Sequence, residues 1–407
     1  MTSFQELELP ETLARAIEKE HFEQPTEIQA KTIPLILKGK DVIAQSATGS
    51  GKTLAFAAGI IQRTQKGKGL QALVLTPTRE LAEQVMQALQ KFCCHQLNVQ
   101  AIYGGVSIGP QIHQLPRTEI IVGTPGRLLD HLERRTLKLN QITTLVVDEA
   151  DRMIDMGFIR DVEKILRECP PTNRQTLLFS ATITPEIGHI ARKHMKEAVK
   201  VSAESFVDPK KLAQVYYNVP RHQKLSLLAH LLKQETTGLV MIFCNTRQIT
   251  DFVARALRHA NIEATPIHGG LSQYKRTDTL ERFHSQKSQV LVCTDVAARG
   301  LDIQGVSHIY NYDIPKDPKQ YIHRIGRTAR AGKEGKVVNL LSDQDYDSFS
   351  QVLREYDVNI RKETTPRVEP ISVPMREEHR RPTAGRPPRR FSRDNAGPPK
   401  AHKWGRR

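Results

Sequence analysis

No pair of cysteines in this sequence has C-x-x-C spacing, and none has the histidine pairing typical of zinc sites. The five cysteines stand at 93, 94, 169, 244 and 293. Cys244 and Cys293 fall inside apolar strand patterns, so all five are expected as reduced thiols rather than as metal ligands or a disulfide framework. No apolar run approaches the roughly eighteen residues of a membrane span. The first residues, Met-Thr-Ser-Phe-Gln-Glu-Leu-Glu, lack a basic stretch followed by an apolar one. A cytoplasmic chain without membrane contact is the expectation. Acid is also in short supply: 44 Asp and Glu against 60 Lys and Arg leave a net charge of +16. Such a surplus implies an acidic partner such as nucleic acid. Half of it lies in residues 376–407, which hold 11 Lys and Arg against 3 acids.

What is present is an alternation of short apolar strands and helical stretches. Length alone, at 407 residues, suggests two or three domains. Residues 1–40 read as a helical entry segment. Ser3 and Glu6 have capping-box spacing, Leu13 and Ile17 share a helix face, and Pro25 and Pro34 punctuate. Strand candidates follow at Val42 to Gln45, Ala72 to Leu75, Glu119 to Val122, Thr144 to Val147, Thr176 to Phe179 and Val199 to Val201. Continuous apolar strands of this kind suit a parallel sheet buried on both faces. The pattern lapses near Ala203 to Lys211 and resumes with Gln214 to Val219, Leu239 to Phe243, Ala264 to Ile267, Val290 to Val292, His308 to Tyr310 and Val337 to Leu341. Two α/β domains are therefore expected, at 1–205 and 212–365, joined by a linker at 206–211. Beyond them, the Pro- and Arg-rich segment 366–407 is expected to be disordered until bound.

Ser46-Ala47-Thr48-Gly49-Ser50-Gly51-Lys52-Thr53 follows the first strand and opens a helix. Strand, glycine-rich turn and helix start make a phosphate cradle. Backbone N–H groups point inward, Lys52 adds a point charge, and the Thr53 hydroxyl reaches a magnesium ion. The strict pattern begins with Gly where this chain has Ser46. A turn that merely connects strand to helix is the alternative, and the acids Asp148, Glu149 and Asp151 at the end of Leu145-Val146-Val147 oppose it. Asp148 is placed to hold magnesium through its water shell, and Glu149 to orient or deprotonate the attacking water.

Asp148-Glu149-Ala150-Asp151 after that loop resembles the DEAD-box family of ATP-dependent RNA helicases, with bacterial RhlE-type enzymes the most similar members. The likeness continues in the family's order across residues 1 to about 345. Phe22, Pro25, Thr26 and Gln29 resemble the adenine-reading segment, with Phe4 upstream; His21 and Glu27 depart from the usual Gly and second Pro. Pro77-Thr78-Arg79-Glu80-Leu81-Ala82, Gly104-Gly105 and Thr124-Pro125-Gly126-Arg127 resemble RNA-contacting motifs. Ser180-Ala181-Thr182 resembles the coupling motif. In the second half Phe243-Cys244-Asn245-Thr246, Gln273 with Arg276, the run Thr294 to Asp302, and His323-Arg324-Ile325-Gly326-Arg327-Thr328-Ala329-Arg330 complete the set.

The resemblance implies two RecA-like domains and the cofactors ATP and Mg2+. Phe22 would stack on adenine, and the amide of Gln29 would meet the base edge. Asp302 would meet the ribose, and Arg327 and Arg330 would supply arginine fingers from the second domain. Asp151, Ser180, Thr182, His323 and Arg324 would couple the halves, His323 and Arg324 bridging toward Asp148 and Ser180. Thr78, Arg79, Gly105, Thr124, Arg127, Gln273, Arg276 and Thr294 would grip RNA through its backbone, without base sequence being read. An RNA-dependent ATPase that opens short helices or remodels RNA–protein complexes is thus expected, with single strands and short duplexes as partners. A monomeric core is expected, and protein partners in ribosome assembly or RNA decay fit. An ATP-gated RNA clamp with little unwinding is the alternative. In the tail, Phe391 and Trp404 would stack on bases.

Overall fold

The structure is a computed structural model that describes residues 3–371, apart from 47–48, 204–211, 235–237, 299–302, 304, 330–333 and 357. The expected linker 206–211, together with Ala47, Thr48, Asp302, Arg330, Phe391 and Trp404, lies outside the described residues.

Two seven-stranded parallel sheets organise the chain. The first holds β1 Val42–Gln45, β2 Ala72–Leu75, β3 Val99–Ile102, β4 Ile120–Gly123, β5 Thr144–Val147, β6 Gln175–Ser180 and β7 Val199–Ser202, in the order β3-β4-β2-β5-β6-β1-β7. The second holds β8 Leu212–Asn218, β9 Leu239–Cys244, β10 Ala264–Ile267, β11 Val290–Thr294, β12 Val306–Asn311, β13 Gly335–Leu341 and β14 Arg361–Glu363, in the order β10-β11-β9-β12-β13-β8-β14. Helices cover both faces of each sheet. Ala72 and Val74 enter one apolar cluster and Leu73 and Leu75 the other, so a single strand feeds two cores through its period of two.

Two described strands, β3 and β14, fall outside the strand candidates of the sequence. In β3 the polar Gln100 interrupts the run; it is buried because its amide donates to Gln111 O and accepts from Thr118 Oγ1, both at 3.0 Å. Strand β14 reads Arg-Lys-Glu and is an edge strand held by backbone pairing to β8. Chain beyond 365, assigned by sequence to the tail, is ordered onto the second domain as far as Ile371. Thr365 Oγ1 donates to Asn218 O at 2.8 Å, the Ile371 N–H donates to Ser226 Oγ at 3.0 Å, and Val368 and Ile371 pack on the core. Pro34, read as punctuation, sits inside the Glu27–Leu37 helix.

Parallel strands place all their C-terminal ends on one edge, where α/β sheets bind ligands. The turns after β1, β2, β4, β5 and β6 start at Ser46, Thr76, Thr124, Asp148 and Ala181, which gathers the first domain's motifs there. Thr294 ends β11, and Asn245 follows β9 in the same way.

Candidate active site

The phosphate loop is built around left-handed glycines. Gly49 and Gly51 have φ of 81° and 85°, and a Cβ on Gly51 would lie 2.3 Å from Gln29 Nε2. Ser46, standing where the strict pattern has Gly, fits because its hydroxyl accepts from Ser50 Oγ at 3.0 Å inside the loop. Thr53 is half-buried in the first turn of the Lys52–Arg63 helix. Lys52 Nζ is buried, lies 3.9 Å from Asp148 Oδ1, and has no hydrogen-bond partner among the described residues. An ammonium out of water without donors satisfied is costly, so a site that supplies acceptors to it is built into the fold. Phosphate oxygens fit that need.

Asp148 is also buried. Loss of solvent pushes its carboxyl above the usual range; Lys52 opposes that shift and Glu149 adds to it. Its Oδ1 accepts from the Glu149 N–H at 2.9 Å. Glu149 has φ of 52°, and its Oε2 accepts from Arg152 Nη1 at 2.6 Å, both side chains being buried. Ser180 joins these turns. Its carbonyl accepts from the Ser46 N–H at 2.9 Å, and its hydroxyl accepts from the Asp151 N–H at 3.2 Å and donates to Thr182 O at 2.7 Å. One residue thus touches the nucleotide loop through its carbonyl and the Asp151 and Thr182 turns through its hydroxyl.

Phe22 stands 44% exposed beside Phe92, available for stacking. Gln29 is different from the expectation. Its Oε1 accepts from the Thr26 N–H and its Nε2 donates to Gly51 O, both at 2.9 Å, while Thr26 Oγ1 donates to Ser50 O at 2.8 Å. Thr26 and Gln29 form a full capping box, so the amide is spent on holding the phosphate loop. Contact with adenine would require it to release one of these bonds.

Among the residues expected to grip RNA, several meet one another. Arg79 lies against Gly105, where a Cβ would fall 1.8 Å from Nη1; Gly105, at φ 84°, makes room for it. Arg127 donates to Val106 O at 2.9 Å and to Gln111 Oε1 at 3.0 Å, fixing the same turn. Thr78 and Thr124 stand at N-caps, Thr78 Oγ1 accepting from the Leu81 N–H at 3.3 Å. Thr294 is buried at the end of β11. Across the seam between the sheets, Gln273 accepts from Arg79 at 3.4 Å and donates to Glu80 at 3.2 Å, and Arg276 pairs with Glu80 at 2.9 Å. Gln273 and Arg276 therefore tie the two domains together. Glu80 appears in the sequence reading only inside the Pro77–Ala82 motif, with no role of its own; the available signals are an acid right after Arg79 and, far along the chain, a Gln and Arg spaced i, i+3.

Arg324 departs from its expected place. It does not reach toward Asp148 or Ser180 but is 1% exposed inside the second domain. Both Asp295 oxygens accept from it at 2.6 Å, Asn311 and Asn245 accept at 3.0 Å, Asp313 O accepts at 2.6 Å, and its guanidinium lies 5.0 Å from the Phe243 ring centre. The fork is saturated by partners that neutralise its charge, which is what a buried guanidinium requires. His323 is half-buried on the same helix, and Arg327 is buried just beyond it.

Comparison with known proteins agrees with this arrangement. Residues 26–190 match the DEAD/DEAH box helicase family, and residues 223–332 match the helicase conserved C-terminal domain. The chain is 44% identical over 383 residues to the ATP-dependent RNA helicase CshA of Listeria monocytogenes, covering 93% of this chain and 72% of that protein. CshA of Geobacillus kaustophilus is 46% identical over 359 residues, 87% of this chain and 76% of its own length. Among solved structures, S. cerevisiae Dbp5 bound to RNA and ADP BeF3 superposes with a TM-score of 0.82 at 31% identity, over 90% of this chain and 96% of that one. Mss116p bound to ssRNA and AMP-PNP does so at 0.80 and 29%, over 89% and 80%. Two family matches in the right order, on two RecA-like sheets with the phosphate loop and Asp148–Asp151 adjoining, show that this chain belongs to the DEAD-box family of ATP-dependent RNA helicases.

Proposed function

We propose that the chain hydrolyses ATP when single-stranded RNA or a short duplex draws its two domains, 1–205 and 212–365, together, and that this closure opens short helices or remodels RNA–protein complexes. The observation that carries the reading is the buried Lys52 ammonium, 3.9 Å from Asp148 and with no hydrogen-bond partner among the described residues. Asp148 and the Thr53 hydroxyl would hold Mg2+, largely through water, and the ion would neutralise charge on the phosphates. The loop residues 46–53 hold the phosphates. Glu149 orients the attacking water, and Phe22 and Asp302 bind the nucleoside. Arg327 and Arg330 complete the site from the second domain.

Thr78, Arg79, Gly105, Thr124, Arg127 and Thr294 bind the RNA backbone, while Gln273, Arg276 and Glu80 set the seam. Asp151, Ser180, Thr182 and His323 relay between them. Because ATP and RNA each favour the closed form, either improves binding of the other. The dense cross-seam bonding of Glu80 supports this coupling. A cytoplasmic location fits the described residues, none of which forms a helix long and apolar enough to cross a membrane. Kinship with RhlE-type enzymes rests on the short basic extension; the CshA relatives support the coarser bacterial helicase reading.

Opening costs about 1.4 kcal/mol per base-pair step by the DNA figure, so forcing about five steps costs about 7 kcal/mol. Gel assays should show duplexes of about ten pairs separating readily and those of about thirty barely at all. Equal rates for the two lengths would refute local opening. Long-lived RNA retention with slow phosphate release would favour the clamp instead. Removing residues 372–407 should weaken RNA binding and flatten its salt dependence, because counterion release scales with the number of phosphates that Lys and Arg neutralise. An unchanged slope in binding titrations would leave the tail without that role.

A further inference from the structure

Exposed apolar side chains scattered singly need no explanation, but their place in the chain can carry information. Among the described residues, four of the seven exposed large hydrophobics, Phe22, Val106, Tyr274 and Val296, lie in or beside the motif segments. Tyr274 is the extreme case at 83% exposed. It is the second residue of the Gln273–His284 helix, directly after the Gln273 that bonds Arg79 and Glu80 across the seam. On the opposite bank, Arg79 covers Gly105, and Val106 comes next, 39% exposed. Tyr274 and Val106 are thus the chain neighbours of Gln273 and Gly105, the two residues that meet Arg79 at the seam.

We propose that Tyr274 is a base-stacking platform: a strand held by its phosphates across the seam lays one base on this ring. The idea rests on the proposed RNA grip and adds to it a contact that depends on the presence of a base but not on its identity, since every base has a π-face. A tyrosine suits the task because its large ring has few torsions to freeze, and its hydroxyl stays wet while the ring is covered. Lys275, exposed beside it, is placed to meet the adjoining phosphate. Phosphate contacts alone would hold a strand without fixing where its bases lie. One stacked base gives the closed form a fixed register.

The test uses the full chain and two probes of equal length, an ordinary single-stranded RNA and an abasic ribose-phosphate strand, in equilibrium titrations with an ATP analogue. Stacking is worth about 1–3 kcal/mol per base, so Tyr274→Ala should weaken binding of the ordinary strand by about 5- to 150-fold. Tyr274→Phe should retain the wild-type affinity. The abasic strand should be bound equally by all three proteins. Thermal midpoints should coincide, since the side chain is solvated. Equal losses on both probes, or no loss on the ordinary strand, would overturn the proposal. Failure of the wild-type chain to hold either probe would instead refute the grip on which it rests.

Discussion

Glu149→Gln should lower ATP turnover by about 10²- to 10⁴-fold, the range for removing a group that moves or orients a proton in the transition state. The amide keeps the side chain's length and an oxygen that can accept from Arg152, which now donates to Glu149 Oε2 at 2.6 Å. It loses the negative charge and the basicity. Two consequences separate here. Chemistry is expected to slow because the group proposed to orient the water is no longer a carboxylate, while ATP and RNA binding are expected to persist because Lys52, the loop amides and the seam are untouched. Arg152 keeps an acceptor at this position but loses the negative charge of its ion pair with Glu149, which weakens a buried contact. A lowered thermal midpoint is therefore expected alongside retained binding. Measured turnover near the wild-type value would contradict the assigned role.

Arg327→Ala should have an effect at least as large, since arginine fingers are worth about 10³- to 10⁵-fold in rate. Arg327 is 2% exposed, two residues beyond the Pro318–Ile325 helix. Its helix is anchored by the saturated Arg324 fork and by Tyr321, whose hydroxyl donates to Gln214 Oε1 at 2.8 Å. The anchoring fixes the backbone from which the proposed finger extends. Arg327→Lys should recover little, because a point charge cannot reproduce a planar fork on phosphate oxygens. Nucleotide binding by the first domain should survive both changes. Rapid hydrolysis by either variant in single-turnover kinetics would remove Arg327 from the reaction.

The parts legible in the sequence are those where one physical requirement dominates. A strand buried on both faces must be apolar throughout, so β1, β2 and β5 were marked by composition alone. A phosphate loop must have small residues and left-handed glycines, so its position was equally plain. Strands β3 and β14 were hidden because their pairing is made by backbone atoms and their side chains answer to other partners: Gln100 to Gln111 and Thr118, and Arg361–Glu363 to solvent. Sequence offers the Gln29 amide to a ligand, whereas two local groups, the Thr26 N–H and the Gly51 carbonyl, already hold it in the fold. Arg324 was sent across the cleft, though Asp295, Asn245 and Asn311 converge on it from three separate strand ends. Such convergence is a property of the folded sheet and leaves no mark at any single position. Glu80 is the same case in reverse: its importance depends on a helix roughly two hundred residues away in sequence.

The central claim is that hydrolysis requires both domains around one nucleotide, with RNA drawing them shut. Steady-state phosphate release by the full chain, measured with and without saturating single-stranded RNA, tests it most directly. Stimulation by RNA that vanishes on replacing Arg276, the residue bonded to Glu80 at 2.9 Å across the seam, is the expected result. The same rate with and without RNA would contradict it.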